Sequence, residues 1–278
     1  MLHKSSSKIE LVPSISAVSS QAMNMYINAS PASHLTYSAE DMSGYVKSIF
    51  KGLRETFPKN LFKGSDKSTD LKAMDAVFKK IESKSLAKVG NTPIVIQDGL
   101  QVDLKTWIAT LDECYTNISK ELQDALQGLL RLFGELINNP DKIKSLSEYG
   151  SVEHSQVQKT NLLFQDMFGS SNRANKATLF DMVKTVEDLA EARAGYERLV
   201  QTKKQLDTKQ VGKDIDRINE LADEFITKYA LRLSANRRAV ADLSMHVHAI
   251  AEAVTLLSLL DYSSSVLYNT IMDIQKKI

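Results

Sequence analysis

Two histidines, His246 and His248, are the most tempting metal-ligand candidates in this 278-residue sequence. A bound ion needs ligands that converge on one point, but residues two apart on a helix point about 200° away from each other. The pair therefore cannot share an ion, although Asp242 and Glu252 each stand four residues from one histidine and could supply half a site. We expect ion pairs at the surface here, and we predict no metal site.

Two loops resemble binding motifs for calcium and for phosphate. The segment 66–70 (DKSTD) begins like a calcium loop, but Leu71 stands where the loop needs glycine and Val77 where it needs glutamate. The segment 64–69 (GSDKST) lacks the Gly-Lys-Ser/Thr ending of a phosphate-binding loop. We therefore predict no bound cofactor.

Cys114 is the only cysteine, so no disulfide can form within the chain, and a reducing compartment is expected. It precedes Tyr115 in a strongly periodic apolar stretch, which favours a packed small hydrophobe over a nucleophile. The sequence has no Gly-x-Ser-x-Gly motif for an acyl-transfer serine. We predict no catalytic residues, and an enzyme of unfamiliar type has no residue constellation behind it.

Positive charge is local and weak. Arg232, Arg237 and Arg238 cluster near the C-terminal third, and Lys203-Lys204 and Lys276-Lys277 add two basic pairs. The formal net charge is only +1, acidic residues are interleaved, and no aromatic residues alternate with the basic ones as in single-strand binders. We expect solvated helix faces and no specific recognition of nucleic acid.

Neither a secretory signal nor a membrane span is predicted. The first ten residues are polar, without the apolar core of a signal peptide. The most apolar run, 247–260, contains His248 and Glu252 and is shorter than the roughly 20 residues that a spanning helix needs. We expect a soluble protein for which contact with a membrane is unlikely.

Apolar side chains recur at alternating steps of four and three along two stretches, a pattern typical of long helices that bury one seam. The first stretch follows Asp103 as a predicted cap and ends before Pro140. Its seam is Leu104, Ile108, Leu111, Tyr115, Ile118, Leu122, Ala125, Leu129, Leu132 and Leu136. The second seam is Val240, Leu243, Val247, Ile250, Val254 and Leu257, after which the stripe shifts to Leu260.

Further helices are predicted from weaker periodicity over 38–57, 68–81, 140–149, 157–168, 176–199, 215–229 and 234–278. Gly195 lies inside one of them, and we expect another helix to pass close to it. A break is expected over 207–212. The predicted fold is mainly α: a multi-helix bundle with long heptad-patterned helices and one short β-hairpin.

The hairpin is predicted from the segment 93–103, where Asp98-Gly99 separates two short apolar runs. Asp-Gly suits the positive φ angles of a two-residue type I′ turn, and this register places Val95 opposite Val102. The hairpin has two interpretations: a structural cap over a helix end, which we favour, or a docking element. If it docks, the candidate interface residues are Ile94, Val95, Ile96, Leu100 and Val102.

The chain divides into a serine-rich N-terminal arm (1–34) without sustained periodicity and a single helical-bundle domain (35–278) with the hairpin inserted at 93–103. Four elements follow one another along the chain: the arm, the hairpin ending in Gly-Leu-Gln-Val-Asp-Leu, the long helix closing with the segment 136–144 (LINNPDKIK), and the long apolar C-terminal helix. This order resembles that of helical virion structural or internal-head proteins of large tailed bacteriophages.

This resemblance implies a non-enzymatic role in the particle, many copies, and partners that are other virion proteins or further copies of the chain. It also implies a location in the virion and the host cytoplasm. Such proteins are sometimes trimmed after a small-x-Glu sequence, which Ser38-Ala39-Glu40 fits, although helix capping explains the same residues. The alternative function is a helical membrane-active effector or toxin that uses the segment 93–102 as a tongue.

Overall fold

A computed structural model of the chain describes residues 71–96, 103–139, 175–235 and 237–278, with isolated positions at 44, 47, 50, 51, 141, 159, 160, 162 and 163. Helices dominate this part of the chain, which confirms the mainly-α prediction. The helices are α1 (Leu71–Lys84), α2 (Leu86–Val89), α3 (Leu104–Asn138), α4 (Leu179–Met182), α5 (Val186–Gln205), α6 (Thr208–Ala235) and α7 (Arg237–Lys277), and the strands are β1 (Pro93–Ile96) and β2 (Asn175–Thr178). The predicted arm (1–34), the tripeptide ending at Glu40 and most of the helices predicted over 38–57 and 140–168 lie outside the described residues.

Helix α3 is the hub of the bundle and packs against α5, α6 and α7. It begins as predicted, because the Asp103 carboxylate accepts a hydrogen bond of 2.8 Å from the backbone N–H of Thr106. Every residue of its predicted seam is buried. At its other end the Tyr229 hydroxyl of α6 donates to the carbonyl of Ile137 at 3.1 Å, satisfying one of the free carbonyls of the last turn.

The strand predicted at 93–96 is present, but its described partner is distant in sequence. β1 pairs antiparallel with β2, and this register places Val95 opposite Lys176. The local partner expected at Leu100 and Val102 lies outside the described residues. The two-stranded sheet therefore joins segments about 80 positions apart in the chain and packs against α7.

The prediction of one continuous helix over 176–199 is wrong. Residues 175–178 form β2, and the backbone N–H groups of Leu179 and Phe180 continue the pairing by donating to the carbonyls of Thr92 and Gly90 at 3.0 and 2.9 Å. The short α4 follows, the chain breaks at 183–185, and α5 starts where the Thr185 hydroxyl caps it. Long-range pairing thus overrides the helical periodicity of this segment.

Gly195 in α5 marks a close crossing of α5 over α3, as expected. A Cβ at this position would lie 3.0 Å from Ile108 Cγ2, which is tighter than ordinary van der Waals contact. The missing side chain therefore lets the two helices approach at this point. A break is present but shorter than the predicted 207–212: α5 ends at Gln205 and α6 already begins at Thr208. Asp207 makes this early start possible by accepting hydrogen bonds from the backbone N–H groups of Lys209 and Gln210.

Helix α7 runs for 41 residues, from Arg237 rather than the predicted Ser234. Three of every four residues between Ala249 and Leu260 are buried, so this stretch is enclosed on nearly every side, and after it the buried residues are restricted to one face. Its C-terminal turn is held by α1, where Lys80 Nζ donates to the carbonyl of Gln275 at 2.8 Å and Lys84 Nζ donates to that of Ile278. Cations at a helix C-terminus interact favourably with the helix dipole.

Candidate functional site

The most distinctive chemistry in the described part of the chain is buried where α3, α5 and α7 meet. We call this group the polar cluster, and its members are Trp107 and Tyr115 from α3, Lys203 from α5, and Asp261, Ser263 and Ser264 from α7. Trp107 and Tyr115 are two helical turns apart and share one face of α3. Polar groups at this depth are expensive unless they are paired, so their partners decide what the cluster does.

An ion pair forms the centre of the polar cluster. Lys203 Nζ lies 3.1 Å from Asp261 Oδ1, and the two side chains are only 3% and 15% exposed. The same ammonium lies 5.4 Å from the centroid of the Tyr115 ring, within the range of a cation–π interaction. Loss of solvent lowers the pKa of Lys203, and the negative charge and hydrogen bond of Asp261 oppose that change.

A neutral hydrogen bond lies beside the ion pair. Trp107 Nε1 donates to Ser263 Oγ at 3.1 Å, and both residues are fully buried. The hydroxyls of Tyr115 and Ser264 are also buried, but neither has a partner in full hydrogen-bond geometry. Burial raises the pKa of Tyr115 well above its usual range, with the charge of Asp261 acting in the same direction and the neighbouring Ser264 opposing it.

The chemistry of the polar cluster is that of a cross-link between helices. Its lysine is 3% exposed in the side chain and already holds a carboxylate, so it presents no nucleophile to solvent. Removing one member of a buried ion pair destabilises a protein by about 3–5 kcal/mol, whereas replacing both members with well-packed apolar residues is often neutral or stabilising. The polar cluster therefore links α3, α5 and α7 in one defined arrangement without adding much net stability.

Cys114 precedes Tyr115 in the sequence and is fully buried, as the sequence predicts. Burial, with a smaller contribution from the negative charge of Glu113, raises the pKa of its thiol to about 12. Thiolate is the reactive form of cysteine. The folded protein therefore holds Cys114 in an unreactive state, consistent with its role as a small apolar side chain.

A second group of charges lies on the outer surface where α3 and α5 cross. Lys105 Nζ lies 2.7 Å from Asp188 and 3.2 Å from Glu191, and these carboxylates raise its pKa. Next to it is a shallow depression of about 440 Å³. The residues that line it are Lys105, Thr106, Ala109, Glu191, Ala194, Gly195 and Arg198. Its lysine is already engaged by two carboxylates and its small residues serve the helix crossing, so the depression follows from packing.

The candidate interface residues are only partly described. Ile94 is 1% exposed and belongs to the core, so in this structure it is unavailable for docking. Val95 and Ile96 lie on β1, and Leu100 and Val102 lie outside the described residues. A docking role for these last four residues stays a prediction.

The sequence alone did not indicate the polar cluster, because Lys203 and Lys204 together resemble a solvated basic pair. Lys204 is exposed, but Lys203 falls on the buried seam of α5, four residues after Leu199 and seven after Tyr196. Asp261 likewise continues the seam of α7, four residues after Leu257. A charged residue in phase with an apolar seam on each of two helices would have pointed to an internal ion pair.

The described residues contain no group of three or more histidine, cysteine, aspartate or glutamate side chains placed to hold a metal ion. His246 lies on α7 and is partly buried. Comparison with protein-family models, with curated proteins and with solved structures gives no match to this chain.

Proposed function

We propose that this protein is a non-enzymatic structural protein that assembles through helical surfaces, as a head or internal component of a tailed-bacteriophage virion. The observation that carries the proposal is the framework of long helices, above all α3 and α7, whose buried Lys203, Asp261 and Trp107 are paired inside the bundle. At 1.5 Å per residue, α3 is about 50 Å long and α7 about 60 Å. A bundle of this kind offers long, rigid outer faces to neighbouring molecules, which is what a particle component needs.

Two adjacent apolar side chains mark where such a contact could form. Leu162 and Leu163 are 60% and 36% exposed. Contiguous exposed apolar side chains are candidates for a surface that another molecule covers. The assignment to a virion rests on the resemblance in the order of the elements along the chain.

Light scattering of the purified protein over a wide range of concentrations tests the assembly proposal. We expect a multimer that dissociates when both Leu162 and Leu163 are replaced by serine. Val186→Ser is the matched control, since Val186 is 57% exposed but stands alone at the start of α5. A wild-type protein that stays monomeric at all concentrations would contradict self-association.

Copurification with particles separately tests the virion assignment. The protein should sediment with intact heads in a density gradient, in many copies per particle by quantitative mass spectrometry. Deletion of residues 1–34 tests whether the arm tethers it: unchanged incorporation would exclude that role. Absence of the wild-type protein from washed particles would contradict the assignment even if the protein forms multimers.

A second candidate function, a membrane-active effector, is favoured by one observation. The segment Ala249–Lys277 of α7 is long enough to cross a membrane and contains an 18-residue stretch that is apolar enough, with a mean hydropathy of 1.3, because its apolar character continues past the run ending at Leu260. Against this, 61% of that stretch is buried inside the bundle, as in the core helix of a soluble protein. Leakage of dye from liposomes that is lost in Ile96→Asp but kept in Gln97→Asp would support the membrane function.

A further inference from the structure

The buried face of α7 includes polar side chains at the point where its apolar stripe shifts. Val247, Ile250, Val254 and Leu257 follow one another at steps of three and four, and all are buried. Asp261 is the next position in that phase and is partly buried, and the buried Ser263 and Ser264 follow it. The stripe then continues as predicted through Leu267, Ile271 and Ile274, which are buried.

An uninterrupted apolar heptad seam does not define the axial position of a helix. Sliding a helix by one heptad, about 10.5 Å, again places apolar side chains against apolar side chains. A buried polar residue within the seam removes this degeneracy, since only one position gives it a partner. On α7 the polar step faces Lys203 of α5 and Trp107 of α3.

We propose that Asp261, Ser263 and Ser264 form a register lock, which fixes the axial position of α7 against α3 and α5 and excludes arrangements shifted by a heptad. Asp261 and Ser263 meet partners on two different helices, Lys203 of α5 and Trp107 of α3. A shift of α7 by one heptad would place Val254 or Tyr268 opposite Lys203 in place of its carboxylate.

The end of α7 supplies an independent second observation. Lys80 of α1 donates to the carbonyl of Gln275 in the last turn, and Lys84 donates to that of Ile278. The carbonyls of the final turn lack a backbone partner within the helix, so they are available to the lysines of α1. A shift of α7 by a heptad would move this turn about 10.5 Å away from both lysines and break these bonds.

Trp107 makes the register lock directly measurable, because it is the only tryptophan and it touches Ser263. The test compares wild type with the double variant Lys203→Met/Asp261→Leu. Time-resolved fluorescence and acrylamide quenching report how many environments Trp107 occupies, and denaturant unfolding reports cooperativity. We expect the double variant to stay folded with a Tm at or above that of wild type, yet to show at least two Trp107 populations and a smaller unfolding m-value.

Two further variants separate charge from position. Lys203→Gln/Asp261→Asn keeps paired polar groups at both sites and should retain one Trp107 environment. Ser258→Ala is the control, since the Ser258 hydroxyl bonds only to the carbonyl of Val254 in its own helix. A Lys203→Met/Asp261→Leu protein that keeps a single wild-type Trp107 environment and full cooperativity would overturn the proposal, and so would one that fails to fold.

Discussion

The two halves of α3 pack against regions that are held together by different interactions. The N-terminal half contributes Trp107 and Tyr115 to the polar cluster, where an ion pair and a hydrogen bond link three helices. The C-terminal half contributes Phe133 to an aromatic row: its ring centroid lies 5.4 Å from that of Phe50 and 5.8 Å from that of Phe225. The same helix thus packs through polar contacts in one half and through aromatic contacts in the other.

The difference separates stability from specificity. Edge-to-face aromatic pairs add about 0.5–1.5 kcal/mol each beyond the burial of their area, and they tolerate small displacements. A buried ion pair contributes little net stability compared with apolar residues of similar volume, but it requires one geometry. We therefore expect the aromatic row to supply most of the free energy of unfolding around α3, and the polar cluster to select the arrangement.

The largest effect should come from breaking the aromatic row. Phe133→Ala removes a fully buried ring that contacts two others, and we expect a loss of about 3–5 kcal/mol in the free energy of unfolding. Urea denaturation followed by circular dichroism measures it. Arg131→Ala, two residues away on an exposed position of the same helix, is the control and should change stability by less than about 0.5 kcal/mol.

Breaking the ion pair on one side should cost about 3 kcal/mol in Asp261→Leu, because Lys203 is left buried without its carboxylate. The pKa of Lys203 is already lowered by burial, so the unfolded chain holds more protons between that value and 10.5, and stability should rise with pH across this window. In Asp261→Leu the pKa of Lys203 falls further, so the pH range over which stability rises begins at a lower pH.

The deficit of Asp261→Leu relative to wild type should therefore shrink as the pH is raised toward 10.5. Denaturation curves at a series of pH values measure this change. Asp273→Leu removes a more exposed pair with Lys277 on the same helix and should cost at most about 1 kcal/mol. A deficit in Asp261→Leu that is independent of pH would show that Lys203 does not titrate in this window.

Gly90 lies outside both the polar cluster and the aromatic row, so a substitution there measures the loss of stability caused by a steric overlap alone. A Cβ at Gly90 would overlap the ring of Phe180, although the backbone angle of Gly90 is permitted for any residue. We expect Gly90→Ala to destabilise by about 1–3 kcal/mol. The double variant Gly90→Ala/Phe180→Leu should recover much of this loss in thermal denaturation. If the double variant is no more stable than Gly90→Ala, the overlap with Phe180 is not the cause of the destabilisation.

The smallest perturbation uses Cys114, which lies beside Tyr115 on the polar half of α3, as a probe of opening. With its thiol buried and the pKa raised to about 12, native protein should react with a thiol reagent at pH 8 far more slowly than free cysteine. Lys203→Met should accelerate the reaction. If Cys114 in the wild-type protein reacts as fast as a free thiol, the N-terminal half of α3 becomes accessible even with the ion pair intact, which would contradict this prediction.

The sequence predicted elements whose causes are local. Asp103 caps α3, the apolar heptads of that helix are buried, and the helix predicted over 215–229 lies within α6. β2 was missed because its strand character comes from pairing with β1 about 80 residues earlier, which no local pattern in the segment 175–178 shows. The ion pair was missed because lysine is usually solvated, and its depth depends on how three helices converge.

The hydrogen bond between Lys80 and Gln275 joins residues 195 positions apart. At typical rates of synthesis, α1 leaves the ribosome about 10–40 s before the last turn of α7 exists. Throughout that interval the apolar face of α1, formed by Met74, Val77, Phe78 and Ile81, lacks its final partner. During synthesis, the apolar face of α1 must therefore be covered temporarily, by a chaperone or by non-native contacts, until α7 has been made and packs against it.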